Sequence, residues 1–139
     1  MFKRLLLAAD GSENSYRAAE EVVKLASISA NAIVEVVCII DYSKAAREVL
    51  HSESSEALEL ERKKKLLPIE TLFKSNNIKY QITVLHGEPG PMIVEYANKI
   101  TCDMVIIGSR GLNKLQEMVL GSVSHKVAKR ATAPVLIVK

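Results

Sequence analysis

Apolar and polar positions along the chain fall into blocks that switch between two periods. Leu5-Leu6-Leu7-Ala8-Ala9 is a continuous apolar run ended by Asp10-Gly11-Ser12, as in a strand buried on both faces. Ala18, Ala19, Val22, Val23, Leu25 and Ala26 then recur at helical spacing, with Arg17, Glu20, Glu21 and Lys24 on the other side. Ser12 or a neighbour suits the cap of that helix, and Glu13 its first turn. Residues 32–40 are rich in β-branched side chains and predict a second strand, with Glu35 near an expected exposed end. Residues 44–75 read as mostly helical, with apolar positions at Leu58, Leu66, Leu67, Ile69, Leu72 and Phe73. Pro68 is expected to kink or restart that helix. Residues 79–86 set Tyr80, Ile82 and Val84 against Lys79, Gln81 and Thr83, the alternation of a half-buried edge strand. Gly87 to Pro91 reads as a turn, with Pro91 suited to the first turn of a helix carrying Ile93, Val94, Tyr96, Ala97 and Ile100. Fourth and fifth strands are expected over 103–107 and 134–138.

Strands alternating with helices predict a parallel sheet covered on both faces. No repeat, low-complexity segment or linker divides the 139 residues, so 1–139 reads as one domain. With 48 % apolar and 25 % charged residues the chain is not of the disordered class. The net charge of +3 comes from scattered Lys and Arg, with no Trp and little aromatic content, so no nucleic-acid partner is expected. No apolar run approaches the roughly 18 residues of a membrane helix, and Met1 to Leu7 lacks the length and cleavage site of a signal peptide. The expectation is a cytoplasmic protein without a membrane partner. Cys38 and Cys102 form neither a CxxC nor a zinc spacing and read as buried free thiols. Arg62-Lys63-Lys64-Lys65 reads as a solvated helix face rather than a site for an acidic partner.

Two loops carry the candidate chemistry. Gly108-Ser109-Arg110-Gly111 follows the fourth strand, and nine residues later Gly121-Ser122 opens a helical pattern with Val123, Val127 and Ala131. Strand, glycine-rich loop and helix start suit a phosphate, because helix N-terminal amides point at an anion with the helix dipole behind them. Asp10-Gly11-Ser12 leaves the first strand and, taken alone, is a turn and helix cap. In an open α/β sheet, ligands bind beyond the carboxyl ends of the strands where strand order reverses. If strands one and four are neighbours, both loops meet in one crevice. Asp10 is then placed for a ribose hydroxyl or a metal, and the glycine loop with Ser122 for phosphates. Neither a P-loop nor a G-x-G-x-x-G fingerprint is present.

Asp10-Gly11-Ser12-Glu13 together with Gly108-x2-Gly111-x9-Gly121-Ser122 resembles the universal stress protein family, whose nucleotide-binding members carry a G-2x-G-9x-G-[ST] motif. The resemblance extends through Ile106 to Gly111, Leu120 to Ser124 and Ala133 to Val138. It is strong over 3–41 and 79–139 and weak over 44–75. It implies a Rossmann-like, adenine nucleotide alpha hydrolase-like fold: a five-stranded parallel sheet of order 3-2-1-4-5, in a homodimer. It implies Ala8, Ala9 and Asp10 along the nucleotide, and Ile39 against adenine. Ile107, Gly108, Arg110 and Gly111 would line ribose and phosphates, joined by Gly121, Ser122, Val123 and Ser124. Arg110 lies between the motif glycines, where family members vary. The implied ligand is ATP or another adenine nucleotide, with Mg²⁺. His125 follows the motif and reads as a solvent-facing helix residue, while His51 and His86 have no sequence partners that suggest a site.

A fully apolar Val135-Leu136-Ile137-Val138 also argues for a dimer, since exposed apolar strand edges invite pairing. A central strand with no free edge is the competing reading. Functionally, an ATP-binding stress-response regulator with at most slow hydrolysis is expected. The alternatives are a nucleotide-free dimeric interaction module and a genuine ATPase or phosphotransferase. Phosphoryl transfer needs positioned cations and an oriented nucleophile; the loop offers Arg110 and Lys114 but no P-loop lysine and no evident base. A flavin-binding flavodoxin-like protein is a remoter reading, because these loops carry no aromatic residue.

Overall fold

Leu5, Leu6 and Leu7 are fully buried in the first strand, which places that strand at the centre of the sheet. The computed structural model describes residues 2–41, 55–110 and 121–139. Its elements are β1 (Arg4–Ala8), α1 (Glu13–Ile28), β2 (Ile33–Ile40), α2 (Ser55–Ser75), β3 (Lys79–His86), α3 (Pro89–Ile100), β4 (Met104–Gly108), α4 (Ser122–Arg130) and β5 (Val135–Val138). All strand pairings are parallel, in the order β3-β2-β1-β4-β5. The expected strands stand within a residue of their predicted bounds.

The period-2 alternation of each strand divides the core into two layers. Leu5, Leu7, Val34, Val36 and Ile106 face α1 and α2, packing on Ala18, Ala19, Val22, Leu66, Ile69 and Phe73. Leu6, Ala8, Val37, Val105 and Ile107 face α3 and α4, meeting Ile93, Ala97 and Val127. Each fully buried leucine contributes roughly 1.5–3 kcal/mol. Cys38 and Cys102 are buried free thiols, as expected. Burial pushes both thiols above their ordinary range.

Three local expectations are corrected. Glu35 is not near an exposed end: it is 5 % exposed. It sits opposite Gln81 in the β2/β3 register, and its two carboxylate oxygens accept from Gln81 Nε2 at 2.6 and 2.7 Å. Tyr96 Oη of α3 donates to it at 3.4 Å. A buried carboxylate is tolerated when such donors satisfy it. Next, α2 does not restart at Pro68 but runs on as one helix through it, with Pro68 exposed. Pro68 removes one amide from the helix ladder, and buried Leu66, Ile69 and Phe73 anchor the helix on both sides of it to the core. Finally, β3 is the expected edge strand, but Val84 is 39 % exposed and Leu85 packs on the α3 side. The part of the expected helix before residue 55 lies outside the described residues.

Candidate functional site

Strand order reverses between β1 and β4, and both chemistry-bearing loops leave the carboxyl ends of that pair. After β1, Asp10 Oδ1 accepts from the Ser12 amide at 2.9 Å, forming a tight turn in which Gly11 has φ 82°. Ser12 caps α1, its Oγ accepting from the Ser15 amide at 3.1 Å. The loop is therefore the expected turn and cap, and it also forms one wall of a crevice.

After β4, Gly108 lies directly beneath the first turn of α1. A Cβ there would meet Asn14 Cβ at 2.8 Å and the Asn14 carbonyl carbon at 2.9 Å. Buried Asn14 donates through Nδ2 to Ser109 Oγ at 3.1 Å, fastening α1 to this loop. The chain returns at Gly121, whose amide donates to the Ser109 carbonyl at 2.7 Å. Ser124 Oγ donates to the Gly108 carbonyl at 2.6 Å, with the Ser109 carbonyl at 3.1 Å. That hydroxyl holds the two ends of the loop together.

The start of α4 differs from that of α1. Its N-cap is Gly121, no side chain caps it, and no acidic residue stands in its first turn. First-turn amides without a side-chain acceptor favour an anion. Ser122 and Arg110 stand beside them on the crevice wall.

The crevice has a volume of about 340 Å³, within the usual range of small-molecule sites. Ala8, Ala9 and Asp10 line it from β1 and its loop, Ile39 from β2, and Ile107, Gly108 and Arg110 from β4 and its loop. Gly121, Ser122, Val123 and Ser124 complete that wall. Gly111 lies outside the described residues, as do Lys114 and His51. His125 is exposed on α4, and neither it nor His86 lines the crevice.

Sequence reasoning missed the α2 wall. Glu61, Arg62 and Lys65 line the crevice, joined by Cys38 and Asp41 from β2 and its end. The Lys65 stem packs on Gly11, where an added Cβ would stand 2.7 Å from Lys65 Cβ. Lys63, Lys64 and Lys65 are exposed, as expected of a solvated helix face, while half-buried Arg62 and the stem of Lys65 also border the crevice. A spacing of three puts them on one side of a helix, but the sequence did not say which side meets the sheet. The Cys38 thiol reports the same convergence. Burial dominates its upward shift, Arg62 opposes it, Asp10 adds to it and Lys65 opposes it.

Among the described residues, no cluster of three or more His, Cys, Asp or Glu is arranged to hold a metal ion. The crevice carboxylates are Asp10, Asp41 and Glu61, and a Mg²⁺ ion there would need ligand phosphates to complete its coordination. No described helix is long and apolar enough to cross a membrane.

A family model described as the Universal stress protein family matches residues 1–139. Universal stress protein MJ0531 of Methanocaldococcus jannaschii is 30 % identical, over 100 % of this chain and 83 % of that protein. The solved structure of MJ0577, also from M. jannaschii, superposes with a TM-score of 0.87 at 31 % identity, covering 100 % of this chain and 96 % of that one. An Archaeoglobus fulgidus universal stress protein in complex with dAMP shares the fold, with a TM-score of 0.72 at 19 % identity and coverage of 100 % and 98 %.

Proposed function

The chain belongs to the universal stress protein family, and from that premise we propose that it is an ATP-binding regulator working as a homodimer. The observation that carries the reading is the start of α4: Gly121 without a side-chain cap, opening on the crevice beside Arg110 and Ser122. Amides, hydroxyl and guanidinium together suit a phosphate chain. At the β2 side the wall is Val37, Ile39 and Ile40, apolar enough for a purine. The complex of the A. fulgidus relative with dAMP supports an adenine nucleotide as the ligand class.

The chain's own groups divide the work. Arg110 and the α4 amides hold phosphate, Ser122 adds a hydroxyl, and Asp10 takes a ribose hydroxyl or shares a Mg²⁺ ion with the phosphates. When bound, Mg²⁺ supplies charge neutralisation to the phosphate chain. The sequence carries no P-loop lysine beside the glycine loop, and on that ground we read hydrolysis as at most slow and the bound state as the signal. Two buried free thiols suit the reducing cytoplasm.

Gly121→Val tests the reading. Gly121 has an ordinary φ of −72°, and among the described residues an added Cβ would meet nothing closer than the Ser109 carbonyl oxygen at 3.5 Å. The variant is expected to fold, which a thermal melt checks, while its branched side chain obstructs the phosphate approach. Isothermal titration with ATP and Mg²⁺ is expected to show binding in the native protein and at least a tenfold loss in the variant, a difference of about 1.4 kcal/mol. Equal affinities would remove the phosphate assignment. No binding of any adenine nucleotide by the native protein would favour the nucleotide-free interaction module.

A further inference from the structure

We propose that Arg62 of α2 lays its guanidinium plane on the base of the bound nucleotide and covers the β2 side of the crevice, an assignment that rests on the nucleotide reading of that crevice. The crevice has two chemically different ends. At the β4 end stand the uncapped α4 amides, Arg110 and Ser122. At the β2 end stand Val37, Cys38, Ile39 and Ile40. β2 and β4 flank β1 on opposite sides, and strand spacing of about 4.8 Å separates the two ends by roughly 10 Å. A nucleotide spans such a gap with its phosphates at β4 and its base at β2.

Among the described residues lining the crevice, none is aromatic. A purine lying on the isoleucines of β2 thus has no ring to stack on its other face. Arginine supplies a planar, delocalised and weakly hydrated group that stacks on aromatic faces, which a lysine ammonium does not. Arg62 is placed for that role because Lys65, one turn along the same helix face, seats α2 on Gly11 at van der Waals contact. Its charge acts on the Cys38 thiol, whose upward shift is due first to burial. Arg62 lines the crevice together with Val37, Cys38, Ile39 and Ile40 of β2, and it also borders Ile82 and Val84 of the neighbouring β3, the side of the sheet away from β4.

The acids at this end decide against a phosphate role for Arg62. Asp41, next to Ile40 at the end of β2, and Glu61, next to Arg62 on α2, line the crevice as well. Their charge repels a polyphosphate but is compatible with a neutral base beneath a cation.

The test compares Arg62→Lys and Arg62→Ala with the native protein by isothermal titration with ATP and with CTP, after thermal melts confirm folding. Stacking predicts that both variants lose about tenfold in ATP affinity. Lysine fails to rescue, and the loss for CTP is smaller because a pyrimidine offers less stacking area. Native-like ATP affinity in Arg62→Lys would mean that charge alone matters, and would overturn the proposal. So would equal losses for ATP and CTP. If the native protein binds ATP and Gly121→Val does not, such a result sinks the Arg62 assignment while the nucleotide reading stands. If the native protein binds no nucleotide, both fall together.

Discussion

Gly108 and Gly121 share one sequence motif, yet their surroundings ask different things of them. At Gly108 an added methyl would press on Asn14 Cβ at 2.8 Å and on Asn14 backbone atoms at 2.9 and 3.0 Å. Backbone cannot swing aside as a side-chain tip can, so α1 must shift. Gly108→Ala is expected to cost about 1–3 kcal/mol of overpacking. Gly121→Ala is expected to stay within about 0.5 kcal/mol of the native protein. Urea unfolding of the two variants measures the contrast, and equal midpoints would refute it. The motif spacing was legible in the sequence, but the α1 contact that demands the first glycine was not. Nor was the burial of Glu35, whose partners Gln81 and Tyr96 come from elsewhere in the chain and meet it only through strand register and helix packing.

At the scale of elements, the sheet is tied at the end opposite the crevice by one carboxylate. Asp103 Oδ2 accepts from the Lys3 amide at 2.7 Å and the Arg4 amide at 2.9 Å, while its own amide donates to the Arg4 carbonyl at 2.8 Å. These bonds join the start of β4 to the start of β1. Donation from the Arg4 amide, then the Lys3 amide, holds the Asp103 carboxyl below its usual value. A carboxylate with a lowered folded-state pKa stabilises the fold above its unfolded pKa of about 3.9, and loses that contribution as pH falls through the folded value. Asp103→Asn should therefore be less stable than the native protein at neutral pH, with the gap closing in strong acid. Urea titrations across that range check it, and a gap independent of pH would mean that the charge is immaterial. The strands were readable as short apolar or β-branched runs, or as alternation in β3, and α1 by its strict helical spacing. α2 was harder, because Pro68 interrupts its pattern, and only its docking through Leu66, Ile69 and Phe73 shows which face meets the core. The same docking turns Arg62 and Lys65 toward the crevice, a fact with no local signature.

At the scale of the whole molecule, strand order leaves two edges, β3 and β5, and they are built differently. β3 carries Lys79, Gln81 and His86 among its exposed positions, polar groups of the kind that guard an edge. β5 is Val135-Leu136-Ile137-Val138, half-buried throughout and paired with β4 on one side. The sequence left open whether this strand is central, and the topology makes it an edge. An apolar edge with no polar guard favours pairing with a second copy across a twofold axis. Ile137→Lys places an ammonium at that edge and is expected to shift sedimentation from dimer toward monomer. Val84→Lys on the opposite edge, where Val84 is already 39 % exposed, is expected to leave sedimentation unchanged. Circular dichroism establishes that both variants are folded before the comparison is made. A dimer that survives Ile137→Lys, or one that dissociates with Val84→Lys, would move the interface away from β5.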